Sequence, residues 1–402
     1  MFMRFTARAC LAVGLFVLPL SATAFEPGDP AKLGFDPAKL AMIPAMLDAD
    51  AASGNIPGSA IMILKDGKLA LTHTSGVRGP GGAAQELDDI FRIYSMTKPL
   101  VSAAALLLVD RGKLDLDAPV SAYIPEFADQ QVAEADGLVP ADSEMTVRDL
   151  MRHTSGMTYG FFGNGPARTA YNQHNLFDGS KSTQDMARLF ASLPLEHQPG
   201  TYWEYSHSID VLGAVIEVAS GTQLDAFLQA EIFEPLGMED TSFSVPADKV
   251  NRIALPAARR LFNPADQTRY FQGGGGLVST APDYLNFAAM ILSGGEWNGE
   301  RLLSEESFAL MSTDQLDGMR PGNYDLLTDA NGFGLGLAVR VRKNGPMLGE
   351  VGDLFWSGYA GTYFWVDPVN DMAVVFMIQN PAKSLYYRAA LRKLVYDALD
   401  GS

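Results

Sequence analysis

Hydrophobic positions along this 402-residue chain change their period from one region to the next. Near the start, the apolar runs Ser59 to Leu64 and Leu69 to Ser75 flank Lys65-Asp66-Gly67-Lys68. An Asp-Gly pair between two such runs predicts a β-hairpin with a tight turn. Ahead of it, Leu40, Ile43, Met46 and Leu47 recur at helical spacing over Asp36 to Ala52, behind Asp36-Pro37 as cap and first-turn proline. The continuous apolar run Leu100 to Val109 reads as a buried helix that stops near Arg111-Gly112.

From Leu114 to about Val250 the pattern is mostly helix and loop. Thr146-Val147-Arg148-Asp149 is a capping-box pattern for a short helix that ends at His153-Thr154-Ser155-Gly156. Ile209 to Ala219 predicts a helix closed by Gly221, and Thr222-x-x-Asp225 a cap for the next. Tyr159 to Ser182, rich in Gly, Asn and aromatics, has little periodicity, and loops of that length are commonly functional or mobile. The glycine run at Gly273 leads into a helix over Pro282 to Leu292, and Asn298-Gly299 signals a tight hairpin. Strand character returns in Leu335 to Val341, Gly361 to Val366 and Met372 to Gln379, before a last helix over Leu385 to Leu399. An early hairpin and a late meander predict an α+β fold: one antiparallel sheet built from both chain termini and flanked by helices. The mainly helical stretch at about 114–254 becomes a lobe inserted between 25–113 and 255–402.

Composition narrows this picture. Residues 1–24 carry Arg4 and Arg8, an apolar run from Leu11 to Leu20 and the small-x-small site Ala22-Thr23-Ala24. That is the layout of a cleaved export signal, too short for a comfortable membrane span, with an uncleaved anchor as the alternative. It predicts a periplasmic or secreted protein with no integral span after cleavage. The only cysteine, Cys10, lies in this segment, so the remaining 378 residues (402 − 24) hold neither a disulfide nor a thiol nucleophile. Losing two arginines moves the formal charge from −17 to −19, which opposes nucleic-acid binding. The five histidines, at 73, 153, 174, 197 and 207, show no metal-ligand spacing, so no metal or other cofactor is expected. No G-x-S-x-G occurs, which disfavours an α/β-hydrolase. Oligomeric state is not legible at this level.

Candidate chemistry starts at Phe91-Arg92-Ile93-Tyr94-Ser95-Met96-Thr97-Lys98-Pro99, which contains the chain's only S-x-x-K. Residues three apart share one side of a helical turn, so the Ser95 hydroxyl and the Lys98 amine can meet. A buried lysine loses affinity for its proton and can then act as the base that a serine nucleophile needs. Chance supplies about one such pattern in a chain this long, so its weight comes from its company. That company is His153-Thr-Ser-Gly156-Met, Tyr205-Ser-x-Ser-x-Asp-Val-Leu-Gly213 and Trp356-Ser-Gly358-x-Ala-Gly-Thr-Tyr-Phe-Trp-Val-Asp-Pro368, in that order.

These motifs resemble the serine β-lactamase-related superfamily of class C β-lactamases, DD-peptidases and family VIII carboxylesterases, over about residues 35 to 398. The resemblance implies a β-lactamase/transpeptidase-like fold and an acyl-enzyme at Ser95, with Lys98 and Tyr205 sharing base and acid duty. A phenolate at Tyr205 would gain from a cation at Lys98; a core aromatic ahead of a helix is the plainer reading of the same residue. The resemblance also implies an oxyanion hole from the backbone N–H groups of Ser95 and Tyr359. Trp356, Ser357 and Gly358 fit the strand that lines the substrate, and Gly358 would permit close approach. Relatives that cut lactams or peptides usually carry a cation where Trp356 stands, and a tryptophan there resembles the family VIII esterases. Lys343-Asn344-Gly345 is turn chemistry instead. His207, where many relatives have Asn, could contact the acyl side or form a polar wall, and His153 reads as structural. The expected substrates are small esters. A β-lactamase or DD-peptidase, or a penicillin-binding protein without turnover, is the alternative.

Overall fold

The computed structural model describes residues 25–79, 81–257, 261–319 and 327–399, so the expected export segment at 1–24 lies outside the described residues. Strands β1 (Gly58–Lys65) and β2 (Lys68–Gly76) form the early hairpin. Asp66 and Gly67 both take positive φ, 50° and 71°, the conformation of the tight hairpin turns that match strand twist. Late in the chain come β3 (Asn331–Phe333), β4 (Ala338–Arg340), β5 (Leu354–Ser357), β6 (Tyr363–Asp367) and β7 (Met372–Ile378). They assemble with the hairpin into one antiparallel seven-stranded sheet, ordered β2-β1-β7-β6-β5-β4-β3. Chain ends thus meet at the β1–β7 seam, where Ile61 faces Phe376 and Ile63 faces Val374.

Helix α1 (Met42–Ala52) packs on the hairpin, and α5 (Ser384–Ala398) covers the same face, with Tyr387 against Phe376. Helix α4 (Ala281–Leu292) covers the opposite face through Tyr284 on Phe364. Helix α2 (Thr97–Asp110) packs on α3 (Ser208–Ser220) of the helical region. Every residue of α2 from Thr97 to Leu108 is buried, so it is a core helix with no solvent face. Truncating Leu106 there would cost about 2–5 kcal/mol. The expected caps form at Asp36, Thr146 and Gly221.

Several local expectations need correction. The first helix breaks at Ala41 into Pro37–Leu40 and Met42–Ala52. Thr222 caps nothing, because the next helix begins after Gln223 without a side-chain cap. Residues 114–254 include a hairpin, Gln131–Glu134 with Gly137–Pro140, and give no strand to the main sheet. Two sheet strands, Asn331–Phe333 and Leu354–Ser357, lie outside the three β-rich runs; both are short and interrupted by glycine or aspartate nearby.

Candidate active site

Ser95 sits in a 3₁₀ turn, Tyr94–Met96, that runs directly into α2. Tyr94 holds a positive φ of 44°, a strained conformation for a non-glycine residue, just ahead of the serine. The turn is tied down from two sides. Phe91–Arg92 pairs with Val278–Ser279, and the Ile93 N–H donates to the Leu277 carbonyl at 3.1 Å. On the other side, a Cβ at Gly358 would lie 2.3 Å from the Ile93 carbonyl oxygen, so only glycine lets the end of β5 reach the turn.

One helical turn into α2, Lys98 is completely buried and donates to three oxygens: the Gly274 carbonyl at 2.6 Å, the Tyr159 phenol at 3.2 Å and Ser95 Oγ at 3.3 Å. Its amine also lies 4.5 Å from the ring centroid of Tyr205. No carboxylate of the described residues comes within salt-bridge distance of it. Burial therefore pulls the amine down to about 7, with the charge of Asp210 pulling weakly the other way.

Tyr205 stands on the buried approach to α3, and its phenol hydrogen-bonds Ser95. Burial pushes that phenol well above its ordinary range, opposed by its bonds to Ser95 and Trp356. Serine hydroxyl, amine and phenol thus meet, the first two as their spacing predicts and the third as the resemblance implies. Burial disfavours both the phenolate and the ammonium, and so works against that pair of charges. The backbone N–H groups of Ser95 and Tyr359 donate to no acceptor among the described residues. The Tyr359 ring itself is exposed and meets Tyr94 edge-on at 5.5 Å.

A family model described as Beta-lactamase matches residues 43–397. The chain belongs to the beta-lactamase family. It is 37% identical over 351 residues to Protein Rv1367c of Mycobacterium tuberculosis, covering 82% of this chain and 87% of that one. It is 29% identical to Esterase EstB of Burkholderia gladioli, covering 92% and 98%. Among solved structures, EstCE1, a hydrolase with promiscuous acyltransferase activity, superposes with a TM-score of 0.73 at 26% identity, over 90% of this chain and 99% of that one. The fold is β-lactamase/transpeptidase-like, and the chain is a serine hydrolase of this family.

Within this family member, three residues expected at the substrate sit elsewhere. Trp356 is only 1% exposed; its indole N–H donates to the Tyr205 phenol at 3.4 Å and its ring meets Phe333 at 5.3 Å. It therefore braces Tyr205 and presents no face to solvent. Ser357 pairs with Tyr363 across the strands, which by the pleat puts its side chain on the opposite face from Trp356. His207 is at the back of the site, buried, with Nδ1 donating to Asp210 Oδ2 at 2.8 Å. Burial holds its imidazole below the ordinary range, with Asp210 opposing. The wall reading of His207 is the one its surroundings match.

His153 takes a positive φ of 59° where its helix ends, and its ring packs against Tyr205 at 4.8 Å. Its Nδ1 accepts from the Ser206 N–H at 3.3 Å, which clamps the Tyr205 segment. The sequence reading passed over Tyr159, Asp210 and Gly274. Each carried a signal: Tyr159 opens the aperiodic aromatic loop, Asp210 lies inside the Tyr205 motif, and Gly274 is in the glycine run. A buried bridge holds that loop: Arg168 donates to Glu204 at 2.9 Å, and Thr158 donates to the same carboxylate at 3.0 Å.

Proposed function

We propose that this protein is an exported serine hydrolase that forms an acyl-enzyme at Ser95 and hydrolyses small carboxylic esters. One observation carries the reading: a fully buried Lys98 in contact with Ser95 Oγ, its amine pulled down to about 7 by burial. In the first step the Ser95 proton passes to the Lys98 amine while Oγ bonds to the ester carbon. The carbonyl oxygen takes the negative charge and is met by the N–H groups of Ser95 and Tyr359. As the C–O bond breaks, the departing alkoxide takes the Tyr205 phenol proton, and the Lys98 ammonium restores it. Water then repeats the sequence on the acyl-enzyme, returning Ser95. A phenol held protonated by burial suits this donor role better than that of first base.

The preference for esters rests on Trp356. It fills the strand position where lactam- and peptide-cleaving relatives place a cation, and it is committed to Tyr205. The likeness to Esterase EstB and to EstCE1 supports the same choice. Export rests on the basic and apolar pattern of residues 1–24.

A fluorophosphonate probe followed by peptide mass spectrometry tests the nucleophile: one adduct on the Ser95 peptide is expected, lost in Ser95→Ala together with all turnover. An adduct elsewhere overturns the mechanism. An ester panel run beside nitrocefin tests the substrate class. Steady turnover of short p-nitrophenyl esters is the expected result. Fast nitrocefin hydrolysis would make the protein a β-lactamase, and a one-equivalent burst followed by silence a penicillin-binding receptor.

A further inference from the structure

The acyl-transfer steps above use neither His207 nor Asp210, yet both lie one residue away from the amine that drives them. Asp210 is in the first turn of α3 with its side chain fully buried. Its two oxygens are divided between two donors: Oδ2 accepts from His207 Nδ1 at 2.8 Å, and Oδ1 accepts from the Gly274 N–H at 2.8 Å. The carbonyl of that same Gly274 is the shortest contact of Lys98, at 2.6 Å. A Cβ at Gly274 would lie 2.7 Å from Asp210 Oδ2 and 2.9 Å from Oδ1, so the glycine lets the carboxylate seat directly on the backbone. Burying a carboxylate and an imidazole in an apolar core is costly unless both are bonded, and two apolar residues would pack there more cheaply.

We propose that Asp210, held by His207, is a positioning residue for Lys98: through Gly274 it fixes the carbonyl that aims the amine at Ser95. The inference rests on the assignment of Ser95 and Lys98 above. Without the Asp210 bond, the Gly274 carbonyl is held from one side only, by the Gly275 N–H of the same peptide on the Gln272 carbonyl at 3.1 Å, and the lysine's shortest anchor loosens. The same carboxylate acts on the amine by its charge, favouring the ammonium against the pull of burial. Other titratable groups surround the pair. Ser95, Tyr159, Tyr205 and His153 face Lys98; Tyr270 faces Asp210; Tyr159 and Tyr171 face His207. Arg388 acts on Tyr205 from α5.

The test is the pH dependence of Ser95 labelling by a fluorophosphonate, and of kcat/KM for p-nitrophenyl acetate, in the parent protein and three variants. Asp210→Asn keeps an oxygen for Gly274 and removes the charge, so the acid limb of both profiles should move down by about half a pH unit or more. Asp210→Ala also removes the bond to Gly274, and its plateau rate should fall about 10-fold below that of Asp210→Asn, with KM little changed. His207→Leu leaves Asp210 Oδ2 without its donor while the Gly274 N–H still holds Oδ1, so the carboxylate's field on Lys98 strengthens and the limb should move up. Limbs that coincide with the parent in the variants that fold, whatever their melting temperatures, overturn the proposal. If Asp210→Asn does not fold, the direction of the His207→Leu limb decides alone. Absence of labelling in the parent overturns the nucleophile assignment and this inference with it; normal labelling with unmoved limbs overturns the inference only.

Discussion

Adjacent residues on strand β5 serve two sites that bury a cation completely and treat it in opposite ways. Trp356 faces the catalytic side and braces Tyr205, beside Lys98. Phe355 faces α5 and lies 5.2 Å from the guanidinium of Arg392. Both cations are 0% exposed. Lys98 meets hydroxyls and a carbonyl, so burial wins and its amine falls to about 7. Burial also pulls Arg392 down, but Tyr363, Asp353 and Tyr396 outweigh it, and its guanidinium ends above the ordinary range. Arg392 bonds the Asp353 carboxylate directly, the Tyr363 phenol at 2.9 Å and the Leu348 carbonyl at 3.0 Å. Burial alone therefore does not make a reactive group. What does is a shell of neutral oxygens in place of a carboxylate.

The same substitution at the two positions should separate them. Lys98→Met is expected to cut kcat/KM for esters about 10³-fold or more, since the base is gone. It should also raise the melting temperature. Holding a lysine whose affinity drops from 10.5 to about 7 costs the fold at most about 5 kcal/mol, at ~1.4 kcal/mol per factor of ten. That penalty is complete below about pH 7 and shrinks as pH rises toward the ordinary lysine value. The stability gain of Lys98→Met should accordingly narrow between neutral and alkaline pH, and a gain that widened would break the argument. In the parent, the neutral amine is the active form, so kcat/KM should rise with pH through about 7. Arg392→Met should act in the other direction, destabilising by about 3–5 kcal/mol, because the buried Asp353 loses its direct partner and keeps only the cation of Arg340, at 3.5 Å. Denaturant titration reads that loss, and Ser95 labelling per folded molecule should stay at the parent level.

How much of this the sequence revealed follows from the range of each interaction. The hairpin, the meander and the S-x-x-K turn are local: Asp66-Gly67, the apolar alternation and Ser95–Lys98 each speak within a few residues. That both termini share one antiparallel sheet followed because an early hairpin and a late meander leave one simple way to pair; the full strand order did not, since two of its strands are too short to announce themselves. Side-chain direction across the sheet was not legible. Whether Trp356 faces solvent or Tyr205 depends on the register Trp356↔Phe364 and on Phe333, a strand that three residues could not announce. Tyr159 meets Lys98 across 61 residues of sequence, and Asp210 reaches it only through Gly274, by bonds spanning 64 and 176 residues, which no periodicity encodes. What opposes a phenolate at Tyr205 was hidden for a different reason, since burial acts on the phenol and the amine together and cannot be read from spacing.

The smallest expected effect is also the sharpest probe of the two strand faces. Trp356→Phe keeps an aromatic ring against Tyr205 and Phe333 and deletes only the N–H that meets the phenol at 3.4 Å. A long, weak bond of this kind is worth about 1 kcal/mol or less. The phenol would then be less firmly aimed, though still bonded to Ser95, and kcat should fall by about 3- to 10-fold with KM little changed, since the bond matters as the proton is delivered. Melting temperature should move by no more than a degree or two, on the order of what 1 kcal/mol does in a chain this size. Phe355→Leu, one residue earlier, should show the reverse: stability falls by about 1–2 kcal/mol as packing on Arg392 is lost, and kcat holds. If Trp356→Phe behaved like Phe355→Leu, with stability lost and turnover intact, the indole would be ordinary core and the division of labour across β5 would fall.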